Sequence, residues 1–251
     1  MTAPCPKLRA DRLLVERGLV DSRERAQALI LAGEVMAGAQ KVEKCGTLLG
    51  ADVPIRLLGE PLKYVSRGGV KLEDALERFR IDPDGKICLD IGASTGGFTD
   101  CLLQHGAARV IAVDVGTNQL DWRLRRDPRV TVLEKTNARY LKPEKIGTKV
   151  ELVTMDVSFI SATLILPVVP PLLTPHAELL VLVKPQFEVG RAEVGKGGVV
   201  RDSRLRQEAV AKVSRRLIEL GFTHIASVES CLPGAAGNRE IFLHANWGKR
   251  A

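Results

Sequence analysis

Residues 86–116 read KICLDIGASTGGFTDCLLQHGAARVIAVDVG, and this stretch decides the fold. It joins an apolar segment, KICLDIG, to a glycine-rich turn, to a helix-forming segment that stops at Gly106, and to a second apolar segment, RVIAVDVG. The succession of strand, turn, helix and strand is typical of a βαβ unit, in which a right-handed crossover joins two parallel strands. The sequence therefore predicts an α/β fold with a ligand site at the carboxyl ends of parallel strands.

The glycine-rich turn distinguishes between two kinds of nucleotide cofactor. A dinucleotide fingerprint, GxGxxG, needs two early glycines, whereas the turn GASTGG at residues 92–97 lacks the second and follows an acidic residue, Asp90. This arrangement resembles the first motif of methyltransferases that use S-adenosylmethionine, and the resemblance implies that the acid anchors the cofactor's ammonium group directly or through water. The residues assigned in this way to the cofactor are Asp90, Gly92, Ser94, Thr95, Gly96, Gly97 and Phe98.

Two polar residues follow the next predicted strands. Asp114 ends the second strand, where its carboxylate can accept hydrogen bonds from both hydroxyls of a ribose. An NAD enzyme places an acid similarly, so Asp114 indicates a ribose without choosing the cofactor, and it could instead cap a turn. Asn137 comes after the third strand, where it could read the edge of an adenine or serve as an ordinary turn residue.

Four ionisable residues, Lys71, Asp156, Lys184 and Glu240, fall at the ends of predicted helices and strands. Taken one at a time, Lys71 fits a solvated helix, Asp156 a helix cap and Glu240 an edge strand. Lys184 differs because it closes the aliphatic run LLVLV, so that its charge is partly desolvated unless an acid meets it. Asp156, at the end of the adjacent predicted strand, is the candidate partner.

In chain order these four residues match, one by one, the K-D-K-E tetrad of the FtsJ class of ribosomal RNA 2′-O-methyltransferases. The segments YVSRGGVKL, LDIGASTGGFTD, DVSFIS, VKPQFEVG, GGVVRD and LPGAAGNREIFL resemble one family of that class, the TlyA or hemolysin A family. The resemblance runs from about residue 7 to 243. It implies a Rossmann-like methyltransferase domain with a mostly parallel, seven-stranded sheet, S-adenosylmethionine as the cofactor, and 2′-O-methylation of cytidine in bacterial ribosomal RNA (23S, with 16S as a second substrate in some members).

The resemblance also implies that all four residues are catalytic and that Asp156 contacts the cofactor. A ribose 2′-hydroxyl is a poor nucleophile, so a base or a strong local field must loosen its proton while the methyl sulfonium is held in line. Lys184 is the residue predicted to act on this proton. Either it loses its proton through burial and the nearby charge of Lys71, or it stays charged and stabilises the developing alkoxide. Asp156 would orient Lys184, and Glu240 would position Lys71 or the ribose.

Two aromatic residues and a long connection lie close to Asp156 and Lys184 in the sequence. Phe159 and Phe187 follow the predicted strands that end at Asp156 and Lys184, and they are candidates to stack on the target nucleotide, with core packing as the alternative. The connection VGRAEVGKGGVVRD, residues 189–202, contains four glycines and several basic residues. It could be a lid, an RNA contact or a disordered insertion.

Residues 1–59 are predicted to form a small α+β domain, joined by a linker at 60–67 to a methyltransferase domain at 68–251. The stretch RADRLLVERGLVDSRERAQALILAGEVMAGAQKV resembles the S4 RNA-binding domain. Residues 1–63 contain ten Lys and Arg against eight Asp and Glu, so an RNA-binding face must come from the arrangement of the charges. The residues expected to contact RNA are Arg9, Arg23, Arg25, Lys41 and Arg67.

Composition and charge limit which partners and which cellular compartment are expected. The net charge of +7 suits a polyanionic partner, such as ribosomal RNA or a ribosomal subunit. Five cysteines without a CxxC pair favour a reduced, cytoplasmic protein with neither a disulfide framework nor a metal site. The chain opens without an apolar signal segment, and prolines interrupt its most apolar stretch, VSFISATLILPVVPPLL, so no membrane partner is expected. A monomer or a weak homodimer is expected.

Two rival functions remain open. One is a non-catalytic RNA-binding or ribosome-assembly factor with an inert methyltransferase fold, and the complete tetrad and glycine turn speak against it. The other is a hemolysin-like, membrane-active protein, which would need a signal and a membrane span. The sequence ends soon after IFLHANW, which within the TlyA family favours methylation of the large subunit alone.

Overall fold

The computed structural model describes residues 7–20, 22–31, 33–58, 63–234 and 236–248, apart from the side chains of Arg25 and Ala28. The chain divides into two compact units, Met1–Leu62 and Lys63–Ala251. The division falls within the predicted linker, residues 60–67, of which residues 60–62 lie outside the described part of the chain.

The first unit places two helices ahead of most of its short strands. Its described elements are β1 (Lys7–Arg9), α1 (Ala10–Glu16), α2 (Arg23–Leu31), β2 (Val35–Ala37), β3 (Gln40–Lys41), β4 (Leu48–Gly50) and β5 (Ile55–Leu57). β1 pairs antiparallel with β4, while β3, β2 and β5 form a second antiparallel sheet. A small core that includes Leu14, Ile30 and Val35 holds these elements together. β1 is an element that the sequence pattern did not indicate.

The second unit alternates strands with helices and short 3-10 turns. Its described strands are β6 (Ile87–Ile91), β7 (Arg109–Val113), β8 (Val130–Leu133), β9 (Val150–Met155), β10 (Leu173–Val183), β11 (Thr223–Glu229) and β12 (Ile241–Trp247). Its described α-helices are α3 (Arg67–Phe79), α4 (Gly97–Gln104), α5 (Trp122–Arg126), α6 (Pro143–Ile146), α7 (Pro185–Glu188) and α8 (Ser203–Glu219).

The seven strands of this unit form one sheet in the order β11-β12-β10-β9-β6-β7-β8. β6 to β10 run parallel, and β12 runs antiparallel to both β10 and β11. The mostly parallel seven-stranded sheet is therefore confirmed. Because β6 has β7 on one side and β9 on the other, the chain reverses its direction of travel across the sheet at β6. Such a switch point opens a crevice at the carboxyl ends of the strands, where open α/β folds bind ligands.

The start of the second unit is held against α4. The N–H of Val65 donates to Asp100 Oδ2 at 2.8 Å, and the amide of Gln104 donates to the carbonyl oxygen of Lys63 at 3.1 Å. Tyr64 is buried against Gly69 of α3, where an added Cβ would lie 2.3 Å from the ring. Residues 63–66, which the sequence assigned to the linker, therefore pack as part of the second unit.

The aliphatic run before Lys184 fills the cores on both sides of the sheet. Leu179, Val181 and Val183 of β10 belong to one core, and Leu180 and Leu182 belong to the other. All five are at most 2% exposed. A parallel strand covered on both faces has no polar side, which explains the unbroken apolar sequence.

Among the helices that the structure describes, none combines the length and the apolar character required to cross a membrane.

Candidate active site

A cleft of about 480 Å³ opens in the second unit at the carboxyl ends of β6, β9 and β10. It is bordered by α3, the glycine-rich turn, the loops after β9 and β10, and the segment before β12. The predicted site residues that line it are Arg67, Lys71, Gly92, Ser94, Thr95, Gly97, Phe98, Asp156, Lys184 and Glu240. All four residues of the tetrad thus face one cavity.

Lys71 and Glu240 form a buried ion pair on one wall of the cleft. Lys71 Nζ donates to Glu240 Oε2 at 2.6 Å, and their side chains are only 10% and 4% exposed. Lys71 lies on the buried face of α3, and Glu240 immediately precedes β12. The close approach of Gly234 covers Glu240, since an added Cβ there would lie 2.4 Å from Oε1. Removing either partner would leave a buried charge without its counterion, which is strongly unfavourable.

Lys184 and Asp156 form the second pair, in the order that the neighbouring strands predict. Lys184 Nζ lies 2.6 Å from Asp156 Oδ1, in an ion pair without hydrogen-bond geometry. Lys184 Nζ also donates to Ser158 Oγ at 2.8 Å. Ser158 was absent from the predicted site, although a hydroxyl two residues after Asp156 in the same loop was an available signal. The side chains of Lys184 and Asp156 are 13% and 25% exposed, so this pair is more accessible than the first.

The glycine-rich turn brings Asp156 close to β6. Gly92 has a φ of +88°, and an added Cβ there would lie 2.4 Å from the carbonyl oxygen of Asp156. The N–H of Asp156 donates to the carbonyl oxygen of Ile91 at 2.9 Å. A side chain at position 92 would therefore separate the turn from the loop that carries Asp156.

Asp90 lies behind this turn and not in the cleft wall. Its carboxylate is fully buried and accepts hydrogen bonds from the hydroxyls of Thr99 at 2.7 Å and Thr154 at 3.1 Å. Burial raises the pKa of Asp90 to about 7, although the two hydroxyls oppose this shift. Buried carboxyls with strongly shifted pKa values are found preferentially at functional sites.

Asp114 is held at the end of β7 by two backbone donors. The N–H of Ser94 donates to Oδ2 at 2.8 Å, and the N–H of Gly116 donates to Oδ1 at 2.7 Å. Each oxygen therefore keeps acceptor capacity for a further donor. The carboxylate is linked in this way to the glycine-rich turn.

Asn137 takes the turn role that the sequence left open. Its Oδ1 accepts a hydrogen bond from the N–H of Arg139 at 3.0 Å, as the N-cap of a short 3-10 helix over Ala138–Tyr140. The side-chain oxygen thus caps its own turn, and contact with an adenine edge stays a prediction.

Phe159 and Phe187 lie against each other, close in sequence to the Lys184–Asp156 ion pair. Their ring centroids are 5.3 Å apart, and Phe159 is 91% exposed. Phe159 has a φ of +65°, a conformation that is strained for an aromatic residue. Its exposure rules out core packing, the alternative that the sequence allows.

The connection at residues 189–202 follows a defined course. It contains short 3-10 turns at Arg191–Glu193 and Lys196–Gly198. The buried side chain of Asn238 anchors the second turn, since Oδ1 accepts from the N–H of Val200 at 2.9 Å and Nδ2 donates to the carbonyl oxygen of Gly198 at 2.8 Å. This anchoring argues against a disordered insertion.

A model of the FtsJ-like methyltransferase family matches residues 64–247, which span the cleft and the seven-stranded sheet. The chain belongs to this family.

Similar proteins extend the match beyond the methyltransferase unit. TlyA of Mycobacterium tuberculosis, named a 16S/23S rRNA (cytidine-2'-O)-methyltransferase, is 49% identical over 94% of this chain and 89% of its own. Hemolysin A of Brachyspira hyodysenteriae is 42% identical over 94% of this chain and 99% of its own. A solved structure of a candidate hemolysin from Streptococcus thermophilus has a TM-score of 0.76 and 41% identity, and covers 98% of this chain and 90% of that one. The predicted TlyA or hemolysin A family is confirmed.

The N-terminal unit of this FtsJ-like methyltransferase lies outside the residues that the family model matches. Two of its predicted RNA contacts, Arg9 and Arg23, meet at a buried carboxylate, Asp11. Lys41 folds over the turn after α2, where a Cβ on Gly33 would lie 2.3 Å from its Nζ. Arg25 belongs to α2, but its side chain is outside the described residues. The pattern of alternating charges gave no sign that Asp11 would be the centre of the cluster.

Within the described ranges, no group of three or more His, Cys, Asp or Glu residues is arranged to hold a metal ion.

Proposed function

We propose that this protein transfers a methyl group from S-adenosylmethionine to the 2′-hydroxyl of a cytidine in bacterial ribosomal RNA. The observation that carries the proposal is the convergence of two lysine–carboxylate pairs on one cleft beside a glycine-rich turn. The TlyA relative, 49% identical, is named for this reaction on both 16S and 23S RNA. Large-subunit RNA is the first substrate to test, and small-subunit RNA is the second.

The cleft suits S-adenosylmethionine in size and in chemistry. A volume of about 480 Å³ lies within the range of small-molecule sites. Ser94, Thr95 and Phe98 would border the amino-acid end of the cofactor, and Asp114 retains the acceptor capacity that ribose hydroxyls require. When bound, the cofactor supplies an electrophilic methyl group on a sulfonium.

Lys184 would act on the proton of the ribose 2′-hydroxyl. Its Nζ contacts Asp156 and Ser158 and the side chain lines the cleft, so a charged amino group there keeps one N–H for a further acceptor. An amino group held in this way can take the proton or stabilise the oxygen as negative charge develops, and a well-placed group of this kind contributes about 10²- to 10⁴-fold in rate.

The Lys71–Glu240 pair would hold a fixed charge distribution in the cleft where the methyl transfer takes place. Because both side chains are almost fully buried and joined at 2.6 Å, neither can move toward solvent without breaking the pair. Such preorganised groups need no rearrangement during the reaction. Phe159, exposed at the rim, would stack on the target nucleotide when its ribose enters the cleft.

RNA affinity would come from phosphate contacts by Arg9, Arg23, Arg25, Lys41 and Arg67. The guanidinium groups of Arg9 and Arg23 remain about half exposed while they pair with Asp11, so each keeps donors for a phosphate. Contacts of this kind orient the RNA without reading its bases.

Methyl transfer from labelled S-adenosylmethionine to separated ribosomal subunits tests the proposal, with the modified nucleoside identified by mass. We expect a 2′-O-methylcytidine with the wild type and at least a hundredfold slower reaction with Lys184→Ala. Lys86→Ala is the matched control, because Lys86 also forms an ion pair, with Glu178 at 2.9 Å, but it lies at the amino end of β6, away from the cleft. Its rate should stay within about twofold of the wild type.

The same experiment separates this function from an inert RNA-binding or ribosome-assembly factor. Tight binding of ribosomal subunits and of the cofactor without any methylated nucleoside would favour the binding protein. Label on a base, or equal rates for wild type and Lys184→Ala, would refute the proposed role of the lysine.

A further inference from the structure

We infer that Glu188 is a positioning residue for methyl transfer, because its carboxylate ties the loop that carries Asp156 to the helix that follows Lys184. The inference rests on the proposed function. Asp156 belongs to the loop at residues 156–162 after β9, whereas Lys184 immediately precedes α7. Their separation therefore depends on whatever holds these two segments together.

The carboxylate of Glu188 holds the far end of the loop. Oε1 accepts a hydrogen bond from the N–H of Ala162 at 2.6 Å, and Oε2 accepts one from the hydroxyl of Ser161 at 2.5 Å. Ser161 is the N-cap of the 3-10 helix Ala162–Leu164, so Glu188 binds a backbone N–H that has no partner within that helix. Both contacts connect residues at least 26 positions apart in the chain.

The other end of the link is fixed as firmly. Lys212 of α8 donates to the carbonyl oxygen of Glu188 at 2.7 Å, and its Nζ lies 3.3 Å from Glu188 Oε2. The Glu188 side chain is only 2% exposed, so its charge is compensated by these donors and not by water.

Three links therefore join the two catalytic segments, and Glu188 forms the most buried of them. The first is the contact of Lys184 with Asp156 and Ser158, and the second is the contact between Phe159 and Phe187. Phe159 occupies a strained left-handed conformation, which persists only where neighbouring contacts hold the backbone on both sides. Asp156 provides the contact on one side, and the Glu188 carboxylate provides it on the other.

Loss of the Glu188 link should slow methyl transfer without weakening the cofactor site. An error of about 1 Å in the placement of reacting groups can cost about 10²-fold in rate. Glu188 forms none of the hydrogen bonds described for the glycine-rich turn. Of the predicted cofactor contacts only Asp156 lies in the loop that Glu188 holds, so cofactor affinity should fall far less than kcat.

The test compares kcat, the affinity for S-adenosylmethionine and the melting temperature in full-length Glu188→Gln, Ser161→Ala and Ser161→Thr. We expect kcat to fall at least tenfold in Glu188→Gln and several-fold in Ser161→Ala, with cofactor affinity within about twofold of the wild type. Ser161→Thr keeps the hydroxyl and should restore most of the rate. Glu151→Gln is the matched control, since Glu151 also accepts from a backbone N–H, that of Ile87 at 3.0 Å, but at the amino ends of the strands.

Each outcome decides for or against the inference. An unchanged kcat in Glu188→Gln, or equal rates for Ser161→Ala and Ser161→Thr, would overturn it. A parallel loss of kcat, cofactor affinity and melting temperature would assign Glu188 a structural role alone. If Glu188→Gln does not fold, the two Ser161 variants decide the question. An inactive wild type would refute the proposed function itself, whereas an active wild type beside a fully active Glu188→Gln refutes only the role of Glu188.

Discussion

Asp11 in the first unit and Asp90 in the second are both fully buried, yet their surroundings differ in kind. Asp11 accepts hydrogen bonds from Arg9 at 3.0 Å, Arg23 at 2.9 Å and Gln27 at 3.1 Å. Asp90 accepts from the hydroxyls of two threonines, and another carboxylate, Asp156, lies near enough to disfavour its charge. The pKa of Asp11 is held well below its usual range, chiefly by Arg9, whereas burial raises the pKa of Asp90 to about 7.

The difference separates a carboxylate whose charge is neutralised by neighbouring arginines from one whose charged form is disfavoured by burial. The charge of Asp11 is neutralised within the protein, so the cluster is complete without a partner molecule. The described hydrogen-bond donors to Asp90 are hydroxyl groups and not cations, so an approaching cation would stabilise its charged form. The ammonium group of S-adenosylmethionine is such a cation under the proposed function.

The largest expected effect concerns the stability of the cofactor-free methyltransferase unit. Because the folded pKa of Asp90 lies above its unfolded value near 3.9, the folded state binds more protons between about pH 4 and pH 7. Stability should therefore fall as the pH rises through this window, by roughly 4 kcal/mol at most for about three pKa units. Asp90→Asn stays neutral and should remove this decline, which makes it more stable than the wild type at pH 8.

Urea unfolding of the full-length protein from pH 5 to pH 8 measures this effect. Asp82→Asn is the control, since Asp82 is an exposed aspartate of the same unit and its replacement should leave the slope unchanged. Parallel stability curves for the wild type and Asp90→Asn would mean that Asp90 titrates in the folded protein as it does in the unfolded chain.

The second effect concerns cofactor affinity, which should depend on the charge of Asp90. If the carboxylate supports the ammonium group of S-adenosylmethionine, binding requires the deprotonated form. Affinity should then rise by up to about tenfold per pH unit below pH 7 and level off above it. Calorimetric titration between pH 5 and pH 8 gives the profile, together with the uptake or release of protons on binding. A flat profile in the wild type would break the link between Asp90 and the cofactor, and a sloping profile that persists in Asp90→Asn would assign it to another group.

The smallest effect concerns Asp11, whose folded pKa is depressed. Its stabilising contribution is present above the unfolded pKa, near 3.9, and is lost as the pH falls through the lower folded pKa. Asp11→Asn should destabilise the first unit at neutral pH by about 1 to 2 kcal/mol, discounted because the arginine partners are about half exposed. The variant should also lose this acid sensitivity.

Hydrogen exchange at the amides of α1 and α2 in the full-length chain reports this local stability, after correction for the intrinsic exchange rate. Gln27→Met is the companion variant, because it removes one neutral donor and leaves both arginines on Asp11. Equal destabilisation by Asp11→Asn and Gln27→Met would contradict the view that the guanidinium groups dominate the cluster.

The contrast also shows which parts of the candidate site could be predicted from patterns in the sequence. The glycine turn, the strand that ends at Lys184 and the order of the tetrad are local or depend on neighbouring strands, and the structure brings these residues to one cleft. The sequence allowed two interpretations of Asn137, a turn residue or an adenine contact, because a short polar residue after a strand suits a turn as well as a ligand. The burial of Asp90 and the arginine cluster at Asp11 had no local signal, since both depend on residues from other elements.

The sequence by itself determined the alternation of strands and helices, the glycine turn and the family, because apolar periodicity, turn residues and sequence motifs are properties of short stretches of chain. Only the tertiary structure decided which side chains pair with each other in hydrogen bonds and ion pairs. Glu240 meets Lys71 across 169 positions, and Glu188 meets Ser161 across 27. Such pairs follow from the order in which strands assemble in the sheet, and that order is set by packing between residues far apart in the chain.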